Sequence, residues 1–302
     1  MSAEALYGAP PPNLSAVGLD APQLSPLIPG AGSIEAVAEG ALQRLVILAP
    51  PGTLERRYVI AQGLRVLAPA GDLTVLAPKT RGGARLAAEL TAFGCEVHET
   101  ARRHHRICRT RLPAAPVGGD AAIAGGAARW DERLGLWTQP GVFSWDRIDP
   151  GTALLLGSAG GLSGRGADLG CGLGVLAKAV LQSATVAALL GVDIDRRAID
   201  AARRNIADPR AEFLHRDVRL GDPALANLDF VIMNPPFHAG GEEDRTLGLA
   251  FISAAANMLL PGGVCRLVAN IALPYEGRLR AEFTSVVCLA QGGGYKVYEA
   301  VK

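Results

Sequence analysis

The run Asn234-Pro235-Pro236-Phe237-His238 limits what this chain can become more than any other stretch. It follows Leu228-Asp229-Phe230-Val231-Ile232-Met233, an apolar run that reads as a buried strand of a parallel sheet. Neither proline has an N–H to give to a ladder, so the strand stops and the chain leaves the sheet at its carboxyl edge. Open α/β sheets bind their ligands at that edge. The run offers the amide of Asn234, the carbonyl of Pro235 and the aromatic face of Phe237 in close register. Those groups suit a flat ligand carrying an exocyclic amine. Asn234 and Pro235 accept its two N–H groups, and Phe237 stacks on its plane.

The segments before this run repeat one pattern, an acidic residue at the tip of a strand. Ala167-Asp168-Leu169-Gly170-Cys171-Gly172-Leu173-Gly174 reads as a strand end, a tight glycine turn and a helix starting near Leu173. Gly164-Arg165-Gly166 make that strand short, and Cys171 reads as a small packing residue. The next strand ends at Gly191-Val192-Asp193-Ile194-Asp195, with Asp193 19 residues after Gly174. An acidic residue there accepts hydrogen bonds from the ribose hydroxyls of a nucleoside cofactor. Asp193 and Ile194 are therefore cofactor-binding candidates, and Asp195 caps the helix expected over 196–206. A third strand, 211–216, ends at Asp217, whose carboxylate suits an adenine amine. The glycine spacing is G-x-G-x-G with Asp168 two residues ahead of Gly170. That pattern favours S-adenosylmethionine over a dinucleotide, because no pyrophosphate has to be seated on a helix N-terminus. Asp168, Gly170, Gly172, Gly174, Asp193, Ile194, Asp217 and Asn234 form the candidate cofactor site. A ligand-free sheet has no need of acids at three successive strand tips.

A chain of 302 residues can hold two cores. Gly118-Gly119 and Gly125-Gly126 mark a linker, so the expected domains are 1–127 and 128–302. Residues 1–33, rich in proline and glycine, are expected to wrap the surface with little regular structure. Strands are expected at 44–49, 64–68, 73–77, 95–99 and 106–109, with a helix over 83–93. This is α/β patterning without a glycine turn at a strand tip, hence a domain without a nucleotide pocket. Its most distinctive stretch is Arg102-Arg103-His104-His105-Arg106. It reads either as a phosphate-contacting patch for folded RNA or as a solvated strand whose arginines pair with surface carboxylates. The net charge of +1 gives no global field to draw in nucleic acid, so a nucleic-acid partner must be held by local patches. Five cysteines without a C-x-x-C pair argue against a disulfide framework and a zinc site, and fit a reducing, cytoplasmic compartment. No secretory signal stands at the N-terminus, and the apolar window 175–192 reads as helix, turn and strand, not a membrane span.

The second half resembles the class I S-adenosylmethionine methyltransferases, and specifically the bacterial 16S ribosomal RNA guanine-N2 methyltransferase family. The resemblance rests on Pro140-Gly141-Val142-Phe143-Ser144, Asp149-Pro150-Gly151-Thr152, Asp168-Leu169-Gly170-Cys171-Gly172 and Asn234-Pro235-Pro236-Phe237-His238. Pro261-Gly262-Gly263, Val268-Ala269-Asn270, Leu273-Pro274-Tyr275 and Tyr295-Lys296-Val297-Tyr298 extend it. It implies a Rossmann-like seven-stranded catalytic domain, preceded by a degenerate α/β methyltransferase-like domain that helps to bind RNA. It also implies action on ribosomal RNA or an assembled ribosomal subunit; a monomer without membrane or metal partners is expected beside it. Asn234, Pro235 and Phe237 are then the catalytic candidates, with Phe237, His238, Arg102, Arg103 and Arg106 touching substrate. Phe143 and Ser144 are expected to close over the methionine end of the cofactor. Asp149 caps a short helix, and Tyr275 either lines the target pocket or packs as an ordinary core or surface tyrosine. Two other readings use the same residues. One methylates another guanine or planar amine: 23S ribosomal RNA, adenine N6 in DNA or glutamine N5 in a protein. The other is a non-catalytic assembly factor.

Overall fold

The computed structural model describes residues 3–302 apart from 16, 19, 237, 240, 241 and 244, with only the backbone for 238, 239, 242, 243 and 245. The chain divides into two compact units, 1–127 and 128–302.

Unit 1 is built on strands β1 (Glu4–Tyr7), β2 (Leu42–Leu48), β3 (Leu67–Pro78), β4 (His98–Arg102) and β5 (His105–Arg111). Their order is β1-β2-β3-β5-β4, with β1, β2 and β3 parallel and the rest antiparallel. Helices α1 (Thr53–Val66), α2 (Leu86–Ala92) and α3 (Gly119–Gly126) complete it. Three sequence expectations need correction. Residues 64–66 close a helix and do not begin a strand. α1 passes into β3 at Leu67, and a short apolar run across such a junction has no period of its own. The stretch read as a glycine linker is helical, since 119–126 form α3 and Gly126 lies against Tyr58 of α1; among the described residues of 1–33 the one strand is β1, which pairs with β2 and buries Leu6 and Tyr7. Residues 95–97 precede β4; the Cys95 N–H donates to the Leu90 carbonyl and closes α2. α1 is tied to α2 by a buried ion pair in which Nε and Nη2, one edge of the Arg56 guanidinium, donate to the two carboxylate oxygens of Glu89 at 2.7 and 2.6 Å.

Unit 2 opens with a hairpin, β6 (Arg129–Asp131) and β7 (Leu136–Thr138), followed by α4 (Pro150–Leu156). Its main sheet contains β8 (Gly164–Leu169), β9 (Val186–Asp193), β10 (Ala211–His215) and β11 (Leu228–Met233). Beyond the short pair β12 (His238–Ala239) and β13 (Glu242–Glu243), it continues with β14 (Leu259–Asn270), β15 (Ser285–Gly292) and β16 (Tyr295–Val301). Helices α5 (Val175–Val180), α6 (Arg196–Asn205), α7 (Arg245–Met258) and α8 (Tyr275–Glu282) lie between strands. The seven strands run β10-β9-β8-β11-β14-β16-β15, parallel except for β16. The strand order reverses between β8 and β11, which places a ligand crevice at their carboxyl ends. There Leu169 is paired with Met233, so the glycine turn and Asn234 leave the sheet side by side. Gly166 keeps that pairing close, because a side chain on it would run into the ring of Phe230. One buried cluster joins Val231 and Met233 to Ile252 and Leu267, and another joins Ile232 to Leu176 and Ile199. No helix among the described residues is long and apolar enough to cross a membrane.

Candidate active site

Two loops and one strand tip converge on a cleft lined by Phe143, Ser144, Asp149, Gly172, Leu173 and Asn234. Asp149 caps α4, accepting the Thr152 N–H at 2.8 Å. From that position it also orients Asn234. The Asn234 amide nitrogen donates to the Asp149 carboxylate and to the Thr152 hydroxyl, each at 2.9 Å. Both N–H bonds are therefore committed to acceptors, and Oδ1 is the end of the amide left to accept. Sequence reasoning found Asp149 as a helix cap only. Its second partner lies 85 residues away, and no local pattern reports a contact of that span.

Asp168 is fully buried at the end of β8. One of its oxygens accepts the Ala177 N–H at 3.1 Å, and the other has no hydrogen-bond partner. Burial pushes its carboxyl up to about 7, with the nearby Asp193 charge adding to the rise. Asp193 accepts the N–H groups of Gly172 and Asp195, at 2.9 and 2.8 Å. It too is pushed up, to about 6, chiefly by burial. Gly172 has φ +52°, and nothing lies within 4 Å of where its Cβ would stand, so the turn leaves room for a ligand against the backbone. Asp195 caps α6, accepting the N–H of Arg197 at 3.0 Å. Asp217 caps the turn that follows β10 and is held below the usual carboxylate range by hydrogen bonds from the Arg219 side chain. Burial pushes the Cys171 thiol well above its ordinary value, so it packs as a neutral group. Ser144 has φ +54°, a strained conformation for a residue lining a cleft.

The remaining candidates fall elsewhere. Phe237 lies outside the described residues, as does the His238 side chain. Tyr275 is buried in the core against Gly248 of α7 and does not line the cleft. Arg102, Arg103 and Arg106 belong to unit 1, on the β4–β5 hairpin. Its two-residue turn holds Arg103 at φ +48° and His104 at φ +61°, where asparagine and glycine are the usual occupants. Arg106 pairs with Glu99 at 3.0 Å, while Arg102 and Arg103 are exposed.

The residues present fit a cationic nucleoside cofactor. A buried carboxylate has one oxygen to spare, a glycine turn stands open, and further carboxylates sit at the next two strand tips. Together with the sheet order, this defines the class I methyltransferase fold. Residues 133–299 match the methyltransferase small domain family. The ribosomal RNA small subunit methyltransferase C of Pseudomonas aeruginosa LESB58 is 32% identical, the match covering 92% of this chain and 85% of that one. The protein of that name from Idiomarina loihiensis is 40% identical over 54% of this chain and 48% of its own. Among solved structures, the Thermus thermophilus 16S rRNA N2 G1207 methyltransferase in complex with AdoMet and guanosine superposes with a TM-score of 0.80. It is 26% identical, covering 99% of this chain and 88% of that one. The chain belongs to the methyltransferase small domain family, among the relatives of the small-subunit methyltransferase C proteins.

Proposed function

We propose that this protein transfers the methyl group of S-adenosylmethionine to the exocyclic N2 amine of a guanine in small-subunit ribosomal RNA. The observation that carries the reading is the fixed Asn234 amide, whose acceptor end is left for a planar amine at the switch point of the sheet. The solved relative with AdoMet and guanosine supports the choice of cofactor and base.

The guanine N2 lone pair is delocalised into the ring, which makes it a poor nucleophile. Asn234 Oδ1 and the Pro235 carbonyl accept its two N–H bonds, draw the lone pair out of conjugation and fix its direction. The Phe237 ring holds the base once it has left its stack. Asp168, Asp193, Asp217, Ile194 and the turn of Gly170, Gly172 and Gly174 hold the cofactor. When bound, it supplies a methyl group on a positively charged sulfur. Orientation and electrostatics therefore carry the catalysis, and water takes the proton that the methylated nitrogen releases. The exposed Arg102 and Arg103, with Arg106, contact RNA phosphates from the β4–β5 hairpin. His238 borders the target base. The protein works in the cytoplasm, where its substrate is made.

Asn234→Ala tests the assignment. Methyl transfer should fall by roughly a hundredfold or more, the scale of losing one preorganised polar group. Calorimetric affinity for S-adenosylmethionine should stay within about twofold. Retained transfer, or a collapse of cofactor binding, contradicts the assigned role.

A further inference from the structure

All three tryptophans of the chain fall between residues 130 and 145. Trp145 is half-buried against Val142, Leu173 and Ala198, Trp137 is half-buried, and Trp130 is exposed. On the β6–β7 hairpin the register sets Trp130 directly opposite Trp137, with ring centroids 6.5 Å apart and planes at 67°. The Arg204 guanidinium of α6 lies 4.8 Å from the centre of the Trp137 ring, and Arg129 lies 5.1 Å from that of Trp145. Successive strand residues face opposite ways, so Trp130, Trp137 and Arg204 share one face of the hairpin, while Arg129 and Thr138 meet Trp145 on the other. Trp130 remains 44% exposed, and Phe143, in the loop that follows, 59% exposed.

This surface is tied to the cleft. Asn205 receives the Trp137 N–H at 2.6 Å and donates to the Trp137 carbonyl at 3.0 Å. The same amide donates at 3.0 Å to the carbonyl of Leu173, which lines the cleft beside Gly172. Thr138 donates its hydroxyl to the Trp145 carbonyl at 2.6 Å, closing the loop that presents Phe143 and Ser144 to the cleft. If the aromatics served only to hold the hairpin together, Trp130 and Phe143 would have no reason to stand half bare. Phe143 lines the cleft itself, and Trp130 stands against Trp137, whose ring carries the Arg204 guanidinium. Unpaired nucleobases stack on exposed aromatic faces whatever their sequence.

We propose that this tryptophan–arginine surface holds the single-stranded RNA that flanks the target guanine, with a neighbouring base stacked on Trp130. The proposal rests on the guanine-methylation reading and adds a binding subsite to it. A base drawn out for methylation leaves its neighbours without a stacking partner, and the indole supplies one.

The test uses the full-length protein and a nine-nucleotide single-stranded RNA with a central guanine. Trp130 and Trp137 are two of the three tryptophans, so the RNA should quench part of the intrinsic fluorescence on binding. Trp130→Ala should weaken RNA binding by about fivefold to a hundredfold, the range of one base–aromatic stack. It should raise KM for RNA with kcat and S-adenosylmethionine affinity within about twofold of wild type. Trp130→Phe, which keeps a flat ring, should recover most of the affinity. Equal RNA binding by wild type and Trp130→Ala, or loss in Trp130→Phe as deep as in Trp130→Ala, overturns the proposal. Nucleoside analysis of the wild-type product judges the methylation reading separately, since RNA binding is measured without turnover.

Discussion

Asn234 can accept a substrate amine because its neighbours leave its amide a single orientation. Asp149→Asn removes the carboxylate that fixes that orientation and sets an N–H donor against another. It should lower kcat roughly ten- to a hundredfold, the scale of one buried hydrogen-bond partner removed, with cofactor affinity little changed. Single-turnover rates beside calorimetry separate the two effects. Asp168 and Asp193 carry a pH dependence whose sign follows from their environment. Their carboxyls are raised to about 7 and about 6, above the roughly 3.9 of a free aspartate. The stability that these groups contribute to the free protein is present below about pH 4 and is lost as pH rises through about 6 to 7. A cationic ligand favours their ionised forms. S-adenosylmethionine binding should therefore tighten from pH 5.5 to 7.5 and release protons, measured by calorimetry in buffers of different ionisation enthalpy. Proton uptake, or affinity flat with pH, contradicts it. At this scale the sequence reveals what is local. A glycine turn and an acid at a strand tip are read within ten residues, whereas the Asp149–Asn234 hydrogen bond exists only once the sheet has formed.

Elements divide along the same line. The strands β8, β9, β10 and β11 are legible because each is a short run closed within two residues by glycine, proline or an acidic residue, whereas β6, β7 and the long β14, interrupted by Pro261-Gly262-Gly263, are not. The hairpin of β15 and β16 announces itself through Gly292-Gly293-Gly294. α1 is not legible. Its N-cap is Gly52 with no side-chain hydrogen bond, its core includes β-branched Val59, Ile60 and Val66, and it is buried nearly all round, which erases the amphipathic period. What fixes it is Arg56, 1% exposed, paired with Glu89 of α2 and bonded to the carbonyls of Pro50 and Pro51. Arg56→Ala leaves the Glu89 carboxylate without its partner and should destabilise unit 1 by about 3–5 kcal/mol. Guanidinium denaturation followed by a probe placed in that unit checks it, and a loss under about 1 kcal/mol would show that the pair is dispensable.

For the whole molecule, electrostatics must be local, since a net charge of +1 steers nothing at long range. Arg102→Ala with Arg103→Ala should weaken RNA binding and flatten its dependence on salt, by up to about 0.7–0.9 in log–log slope for each phosphate no longer neutralised. An unchanged slope assigns those arginines to the solvated surface. The resemblance in sequence predicts a seven-stranded class I methyltransferase sheet, and the structure has it. The activity proposed for this chain is guanine-N2 methylation in the small subunit. Labelled methyl transfer from S-adenosylmethionine to purified small subunits, large subunits and naked ribosomal RNA, followed by nucleoside mass spectrometry, tests it most directly. N2-methylguanosine should appear in small-subunit RNA and be lost in Asn234→Ala. Methyl groups confined to the large subunit, to adenine or to protein glutamine, with the cofactor bound normally, would contradict it.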